Sequence, residues 1–232
     1  MARQSTIDIG AALARAPIFS ALPEADRSAV QASSRIVALR THQQLWGQGR
    51  RADHVGLVLS GRLKVTRDQS RGELILDLAG PGDVIGEVAL SLGASYQFDV
   101  RCLRRAQVLL VPARGFRALL ERRPQAAVAL AIDLAQQLLR LTRRVEALGA
   151  GDVEHRLARV MLGLVDRFGA EFPGGTLVPV KLRRADLASL AATTLESTSR
   201  RLSSWKRQGI VLPQPVGYLV RDVRALRRMV EG

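Results

Sequence analysis

The chain has 232 residues, which is long enough for one large domain or two smaller ones with proper cores. Its 35 Lys and Arg residues against 21 Asp and Glu give a formal net charge of +14, which indicates a polyanionic partner, either nucleic acid or an anionic membrane surface. The one cysteine, Cys102, excludes an internal disulfide, a four-cysteine zinc site and an iron–sulfur cluster, so we expect a reducing cytoplasm and no metal. The most apolar window, residues 126–141, contains Asp133 and Arg140, so we expect no membrane span.

Residues 6–34 predict short helices punctuated by two prolines. Between residues 35 and 112, short β-rich runs alternate with glycines and polar turns, which predicts an antiparallel barrel or jelly roll of six or more strands. The runs are RIVALR, HVGLVLSG, RLKVTRD, ELILDLAG, DVIGEVAL and AQVLLVP, with hairpin turns expected at Gly61, Gly72 and Gly82.

A long helix is predicted from Pro124 to about Leu148, after a short one at residues 113–121. Its apolar stripe follows the three-and-four spacing of a coiled-coil seam and comprises Val128, Ala131, Leu134, Leu138, Leu141, Val145 and Leu148. On a helix that packs only within its own chain, such a stripe would face the core. The length of this helix and its place between two domains favour instead a coiled coil in a symmetric dimer. Gly149, Ala150 and Gly151 then predict a hinge.

The C-terminal part has the pattern of a winged helix-turn-helix. Asp152 is predicted to cap a helix, and a short strand, TLVPVKL, follows it. Residues 184–210 hold two helical patterns on either side of a polar break at Thr193-Thr194, and two short strands and a last helix complete the unit. The fold class is therefore α+β, with short helices and an antiparallel barrel or jelly roll at residues 1–123, a dimerisation helix and hinge at 124–150, and a DNA-binding domain at 151–232.

Several motifs in this order resemble the CRP/FNR superfamily of bacterial transcription regulators. They are PIFSALPE, LVLSGRLKV, GPGDVIGEVAL, and an L-A-x-L pattern followed by T-x-E-S-T-S-R-x-L. The resemblance covers almost the whole chain. It implies a homodimer that binds double-stranded DNA, has a cyclic-nucleotide-binding-like β-roll, and contacts RNA polymerase.

The resemblance also implies which side chains read bases. Glu196 matches a glutamate that accepts from cytosine N4, and Arg200 matches an arginine that donates to guanine O6 and N7. Ser199 completes the FNR-like E-x-x-S-R form, and Leu195 stands where cAMP-receptor-type members carry another arginine and would suit a thymine methyl. We therefore expect half-sites closer to TTGA than to GTGA. The alternative for Glu196 and Arg200 is a surface ion pair one turn apart.

Local charge supports DNA binding, because residues 181–207 hold seven Lys and Arg against two Asp and Glu, a net charge of +5. We expect phosphate contacts, which fix register rather than sequence, from polar and basic side chains here, although a solvated helix face is the alternative for each of them. The candidates are Thr193, Thr194, Ser197, Arg201, Lys206 and Arg207.

An effector pocket is implied at Gly86, Glu87, Val88, Tyr96 and Gln97, together with Leu141 and Thr142 on the long helix. The arginine that neutralises the cyclic phosphate in nucleotide-binding relatives falls on Tyr96, or on Gln97 if the loop shifts by one residue. Because a buried phosphate without a charge partner is costly to desolvate, the sequence argues against cAMP and cGMP. Another small apolar or acidic effector, or none, stays open.

Two further questions are left by the sequence. Cys102 lies near Arg101, Arg104 and Arg105, whose charge would favour a reactive thiolate, whereas burial would make the thiol inert. No Walker loop, zinc signature or nucleophile elbow appears, so we expect no catalytic residues and no enzyme. The interpretation is a homodimeric regulator of transcription; the alternative is a cyclic-nucleotide-responsive regulator or effector module.

Overall fold

The computed structural model describes residues 7–69, 72–91, 93, 95–149 and 152–231. Its contacts separate two units, Met1–Asp68 with Leu76–Leu138, and Gln69–Ile75 with Leu139–Gly232. Helices and strands are both present, and the α+β class is confirmed. Within the described ranges, no helix is long and apolar enough to cross a membrane.

Three short helices begin the first unit, as predicted: α1 (Ile9–Arg15), α2 (Pro17–Ser20) and α3 (Glu24–Ser33). The Asp8 carboxylate caps α1 by accepting a hydrogen bond of 3.0 Å from the Ala11 N–H. Pro17 occupies the first turn of α2, where its missing N–H removes no helical hydrogen bond.

The β-roll follows, with β1 (Arg35–Leu39), β2 (Gln44–Trp46), β3 (His54–Gln69), β4 (Gly72–Ala79), β5 (Val84–Ile85) and β6 (Asp99–Pro112). Its antiparallel sheet has the order β1-β6-β3-β4, and β2 pairs with β6 while β5 pairs with β3. Side chains from these strands and from α1 to α3 form one apolar core.

Two predicted boundaries in the roll are wrong. HVGLVLSG and RLKVTRD form one strand, and Gly61 lies inside it at a φ of 80° instead of at a hairpin turn. A β-carbon there would lie 2.1 Å from the Arg105 carbonyl oxygen, and the register of β3 against β6 shifts around this point, so Gly61 forms a bulge. DVIGEVAL also divides, because β5 ends at Ile85 and α4 (Glu87–Ser91) begins after Gly86.

Two helices close this part of the chain, α5 (Ala113–Arg122) and the long α6 (Pro124–Gly149). Ala126 and Leu130 of α6 are buried, and Leu134 packs against the core of the first unit. The rest of the apolar stripe is exposed where its side chains are described, at Val128, Ala131, Leu138, Leu141 and Val145. Ala150 and Gly151 lie outside the described residues, so the hinge stays a prediction.

The second unit contains α7 (Val153–Phe168), β7 (Ala170–Phe172), β8 (Gly175–Val178), α8 (Arg184–Leu190), α9 (Leu195–Arg207), β9 (Val211–Gln214), β10 (Gly217–Val220) and α10 (Val223–Glu231). The wing is an antiparallel sheet of order β7-β8-β10-β9, larger than the two strands predicted. The run TLVPVKL is strand only as far as Val178, because Pro179 has no N–H to donate to a ladder. Trp205, Leu157, Met161 and Leu226 are fully buried in this unit.

Candidate nucleic-acid interface and effector pocket

The helix-turn-helix is held by caps at both of its helices. Asp186 accepts a 2.8 Å hydrogen bond from the Arg183 N–H and so closes the start of α8. Ala192 takes a φ of 46° in the turn, and the Thr193 N–H donates to the Ala188 carbonyl at 3.0 Å. Thr194 caps α9, as its hydroxyl oxygen accepts from the Ser197 N–H at 3.1 Å. The start of α9 is therefore fixed in direction.

The predicted base-reading residues lie on the solvent face of α9. Leu195, Glu196 and Arg200 are exposed, and Ser199 is half-buried beside them. On the opposite face, Thr198, Leu202 and Trp205 are buried. The Glu196 and Arg200 side chains form an i,i+4 ion pair, with 3.5 Å between Oε1 and the guanidinium, and both are more than 70 % exposed. Such a pair stabilises a helix by only about 0.3–0.5 kcal/mol. It therefore opposes only weakly a movement of the two side chains away from each other and onto DNA bases.

The predicted phosphate-contacting residues form three groups. Lys206 and Arg207 are exposed in the last turn of α9. Thr194 and Ser197 belong to the N-terminal cap, where the Thr194 hydroxyl also donates to the Ser197 hydroxyl at 3.0 Å. Thr193 is half-buried in the turn. Arg201 is half-buried and differs from all of these because its guanidinium pairs with acids of α7.

Arg201 pairs with two acids at the start of α7. Its guanidinium lies 3.0 Å from Glu154 Oε2 and 3.8 Å from Asp152 Oδ2. The other Glu154 oxygen, Oε1, accepts a 2.9 Å hydrogen bond from the indole N–H of the buried Trp205. Glu154 was not among the residues predicted from the sequence, because no local spacing links it to residues some fifty positions further along the chain.

Aromatic side chains fill the place next to Gly86 in the predicted pocket. Tyr96 and Trp46 stack with ring centroids 4.3 Å apart, and both are buried. Gly86 has a φ of 83°, and a β-carbon on it would lie 3.1 Å from Trp46 and 3.2 Å from Tyr96. The Tyr96 hydroxyl donates to the His54 carbonyl at 2.8 Å. Tyr96, the first of the two residues expected at the family's arginine position, is therefore stacked on Trp46 and anchored by a hydrogen bond.

Glu87 is buried under α6. Its Oε1 accepts a 2.9 Å hydrogen bond from the Gln137 amide, which also donates to Asp133 Oδ2 at 2.9 Å. The other oxygen, Oε2, is buried and accepts no hydrogen bond from any described residue. Burial raises the pKa of Glu87 to about 7, and the nearby Asp133 and Asp77 charges add to this, against the opposing effect of the Gln137 hydrogen bond.

The other predicted pocket residues have varied surroundings. Val88 is half-buried in α4, and the Gln97 amide donates to the Ser95 carbonyl at 3.0 Å. Leu141 and Thr142 are exposed on α6. Trp46 and Gln137 were not predicted from the sequence, although both complete the surroundings of Gly86 and Glu87.

Cys102 lies within β6 and is fully buried. Its thiol donates to the Leu39 carbonyl across 3.7 Å. Burial raises the pKa of the Cys102 thiol, which favours the inert alternative over a reactive thiolate.

Two known domain families match the chain. Residues 36–123 match the cyclic nucleotide-binding domain, and residues 155–229 match the Crp-like helix-turn-helix domain. The first match spans the β-roll and α5, and the second spans most of the unit that carries α8 and α9.

Relatives from bacteria match most of the chain, and one of them is named as a transcriptional regulator. The CRP-like cAMP-activated global transcriptional regulator of Mycobacterium tuberculosis is 24% identical, over 93% of this chain and 97% of its own length. The cyclic AMP receptor protein of Thermus thermophilus is 28% identical over 80% of this chain and 83% of its own length. The structure of FixK2 from Bradyrhizobium japonicum shares the fold with a TM-score of 0.75, at 23% identity, over 84% of this chain and 96% of that one.

Proposed function

Because the chain belongs to the CRP/FNR superfamily of bacterial transcription regulators, we propose that it acts as a homodimer that reads a palindromic TTGA-like DNA site. The carrying observation is that Glu196 and Arg200 lie one turn apart on the exposed face of a capped helix. Glutamate accepts from cytosine N4 and arginine donates to guanine O6 and N7, so the two can read adjacent base pairs. Leu195, exposed at the first position of α9, suits a thymine methyl, and Ser199 lies beside them.

Dimerisation is supported by the exposed apolar stripe of α6. Leu138 is 64% exposed and Val145 is 66% exposed in the single chain, although both are apolar and lie on the predicted seam. Pairing of two α6 helices would bury them. It would also present two copies of α9, which must lie about 34–36 Å apart to enter successive major grooves.

Phosphate contacts from Thr193, Thr194, Ser197, Lys206 and Arg207 would hold each recognition helix in register. We further propose RNA polymerase as a partner, as the family implies, and the cytoplasm as the place of action. We also propose a sensor domain at residues 1–123, a dimer helix and hinge at 124–150, and a DNA-binding domain at 151–232.

The β-roll would sense an effector other than a cyclic nucleotide. The Tyr96 side chain is buried, stacked on Trp46 and hydrogen-bonded to the His54 backbone, so no cation from this position is offered to a phosphate. The alternative is a true cAMP- or cGMP-responsive regulator, which the match of residues 36–123 to the cyclic nucleotide-binding domain favours.

The test is a competition binding assay on duplexes that carry two inverted TTGA half-sites and on their single-base variants. Arg200→Ala should lose roughly 1–3 kcal/mol of discrimination at the guanine of each half-site. Arg207→Ala is the matched control: it should weaken binding to every sequence alike and leave discrimination intact. An equal loss on all sequences in Arg200→Ala would contradict base reading by this side chain.

A further inference from the structure

The first turn of α7 forms polar contacts with both helices of the helix-turn-helix. The Arg156 guanidinium donates to the Ala191 carbonyl at the end of α8 across 3.1 Å. Glu154 reaches α9 with both oxygens, one toward the Trp205 indole and one toward Arg201. Asp152, the N-cap of α7, adds a second acid near Arg201.

These contacts satisfy the buried indole of Trp205 and pair the guanidinium of Arg201 with acids of α7. A buried indole N–H needs an acceptor, and the Glu154 carboxylate supplies it to Trp205, which is fully buried. The Arg201 guanidinium faces two carboxylates, which hold it toward α7. The acids themselves are stabilised at the N-terminus of α7, where the Asp152 carboxylate also accepts from the His155 N–H at 3.0 Å.

We propose that Asp152, Glu154, Arg201 and Trp205 form a clasp that sets the rotation of α9 on α7, and that Arg201 is a positioning residue, not a phosphate contact. The inference rests on the proposed DNA-binding function. It assigns to Arg201 and Glu154 a role in specificity, because a change in the rotation of α9 moves Glu196 and Arg200 relative to the bases.

The two roles for Arg201 predict different salt dependence. A cation that neutralises a phosphate contributes about 0.9 to the slope of log K against log salt concentration. A positioning residue contributes nothing to that slope, but it lowers binding to the preferred duplex relative to a scrambled one. Loss of negative charge at Glu154 strengthens binding to both duplexes by long-range attraction, and this effect cancels in the ratio of the two constants.

The experiment compares the full-length chain with Arg201→Met, Glu154→Gln, the double variant, and Lys206→Met as the matched cation control. Binding constants are measured on the inverted TTGA repeat and on a scrambled duplex between about 50 and 200 mM salt. We expect Arg201→Met and Glu154→Gln each to reduce the ratio of the two constants by roughly fivefold with an unchanged slope. The double variant should be no worse than either single variant, because both break the same contact. Lys206→Met should flatten the slope and keep the ratio.

A slope that becomes flatter by about 0.9 in Arg201→Met, with an unchanged ratio, would overturn the proposal. Tryptophan emission gives an independent readout without DNA: the chain has two tryptophans, so a Trp46→Phe background leaves Trp205 as its only indole. Arg201→Met and Glu154→Gln should both shift the wavelength of maximum emission of Trp205. If the wild-type chain prefers no duplex, the proposed function fails. The emission of Trp205 then still tests the clasp, and the absence of a shift in both variants would overturn it.

Discussion

Ala192 is one of two residues other than glycine with a left-handed backbone within the described ranges; the other is His42. A side chain with a β-carbon is strained there by about 1–2 kcal/mol, because the β-carbon approaches the following carbonyl. The strain sits in the turn that joins α8 to α9 and is offset by the caps on either side of it. The geometry of the turn is therefore set by its neighbours and not by the preference of Ala192.

Ala192→Gly should raise the free energy of unfolding by about 0.5–1 kcal/mol, because relief of the strain exceeds the entropy that glycine adds to the unfolded chain. Urea titration would measure it. The matched control is Ala191→Gly, one residue earlier, where φ is −91° and glycine should destabilise by about 0.5–1 kcal/mol. A loss of stability in Ala192→Gly as large as in the control would contradict the prediction.

Glu87 shows how one buried acid makes stability depend on pH. Its pKa is about 7 in the folded chain, against an ordinary value of 4.5. The folded state therefore holds a proton that the unfolded state releases between these two values. Stability contributed by the protonated carboxyl is present below pH 4.5 and is lost as the pH rises through 7.

Glu87→Gln removes this titration and keeps an acceptor for Gln137. The free energy of unfolding of wild type minus that of the variant should fall by up to about 3 kcal/mol as the pH rises from 4.5 to 7, and then level off. Urea titrations between about pH 4.5 and pH 8 would measure the difference. A difference that rises with pH would mean that Glu87 is ionised and stabilised in the fold.

At the scale of elements, α6 has two kinds of exposed apolar side chain. Leu138, Leu141 and Val145 lie on the predicted seam, whereas Leu139 is exposed one position away from it. Knobs-into-holes packing between two helices buries seam positions and leaves their flanks partly in water. The two kinds should therefore respond differently to a polar substitution.

Leu138→Gln should weaken the dimer at least about tenfold, because each of two copies loses a buried leucine. Sedimentation equilibrium of the full chain would measure the dissociation constant. Leu139→Gln is the matched control, as its side chain is 56% exposed in the single chain against 64% for Leu138, and it should leave the constant nearly unchanged. Equal effects of the two changes would place the contact elsewhere on the helix.

At the scale of the whole molecule, the two functions of the family, DNA binding and nucleotide binding, have separate physical requirements. The DNA-binding face needs exposed polar side chains on a helix of fixed direction, and Glu196 and Arg200 meet that requirement. Nucleotide binding needs a cation for the cyclic phosphate, and the two residues expected at its position are Tyr96, which stacks on Trp46, and Gln97. The proposed loss of nucleotide binding therefore leaves the requirement for DNA binding untouched.

We expect neither cAMP nor cGMP to bind the full chain or to change its affinity for the inverted TTGA repeat, because the phosphate would be desolvated without a charge partner. Isothermal titration calorimetry measures the first and competition binding the second. Heat of binding with a dissociation constant in the micromolar range, together with tighter DNA binding, would favour the alternative of a cyclic-nucleotide-responsive regulator.

The sequence by itself determined the elements with strong local signals. The spacing of apolar residues predicted α6, α8 and α9, and Asp152 was correctly predicted as a cap. Such signals lie within one or two turns of helix, so no distant residue is needed to interpret them. The motif order was enough for the family, and the positions of Glu196 and Arg200 on one face followed from their spacing.

Only the tertiary structure decided what depends on residues far apart in the chain. The bulge at Gly61 exists because β3 pairs with β6, and the surroundings of Glu87 include a residue 50 positions away, Gln137. The contact from Trp205 to Glu154 spans 51 positions. Pairing, burial and charge neutralisation arise from packing between elements, and hydrophobic periodicity along one element carries no record of its partner.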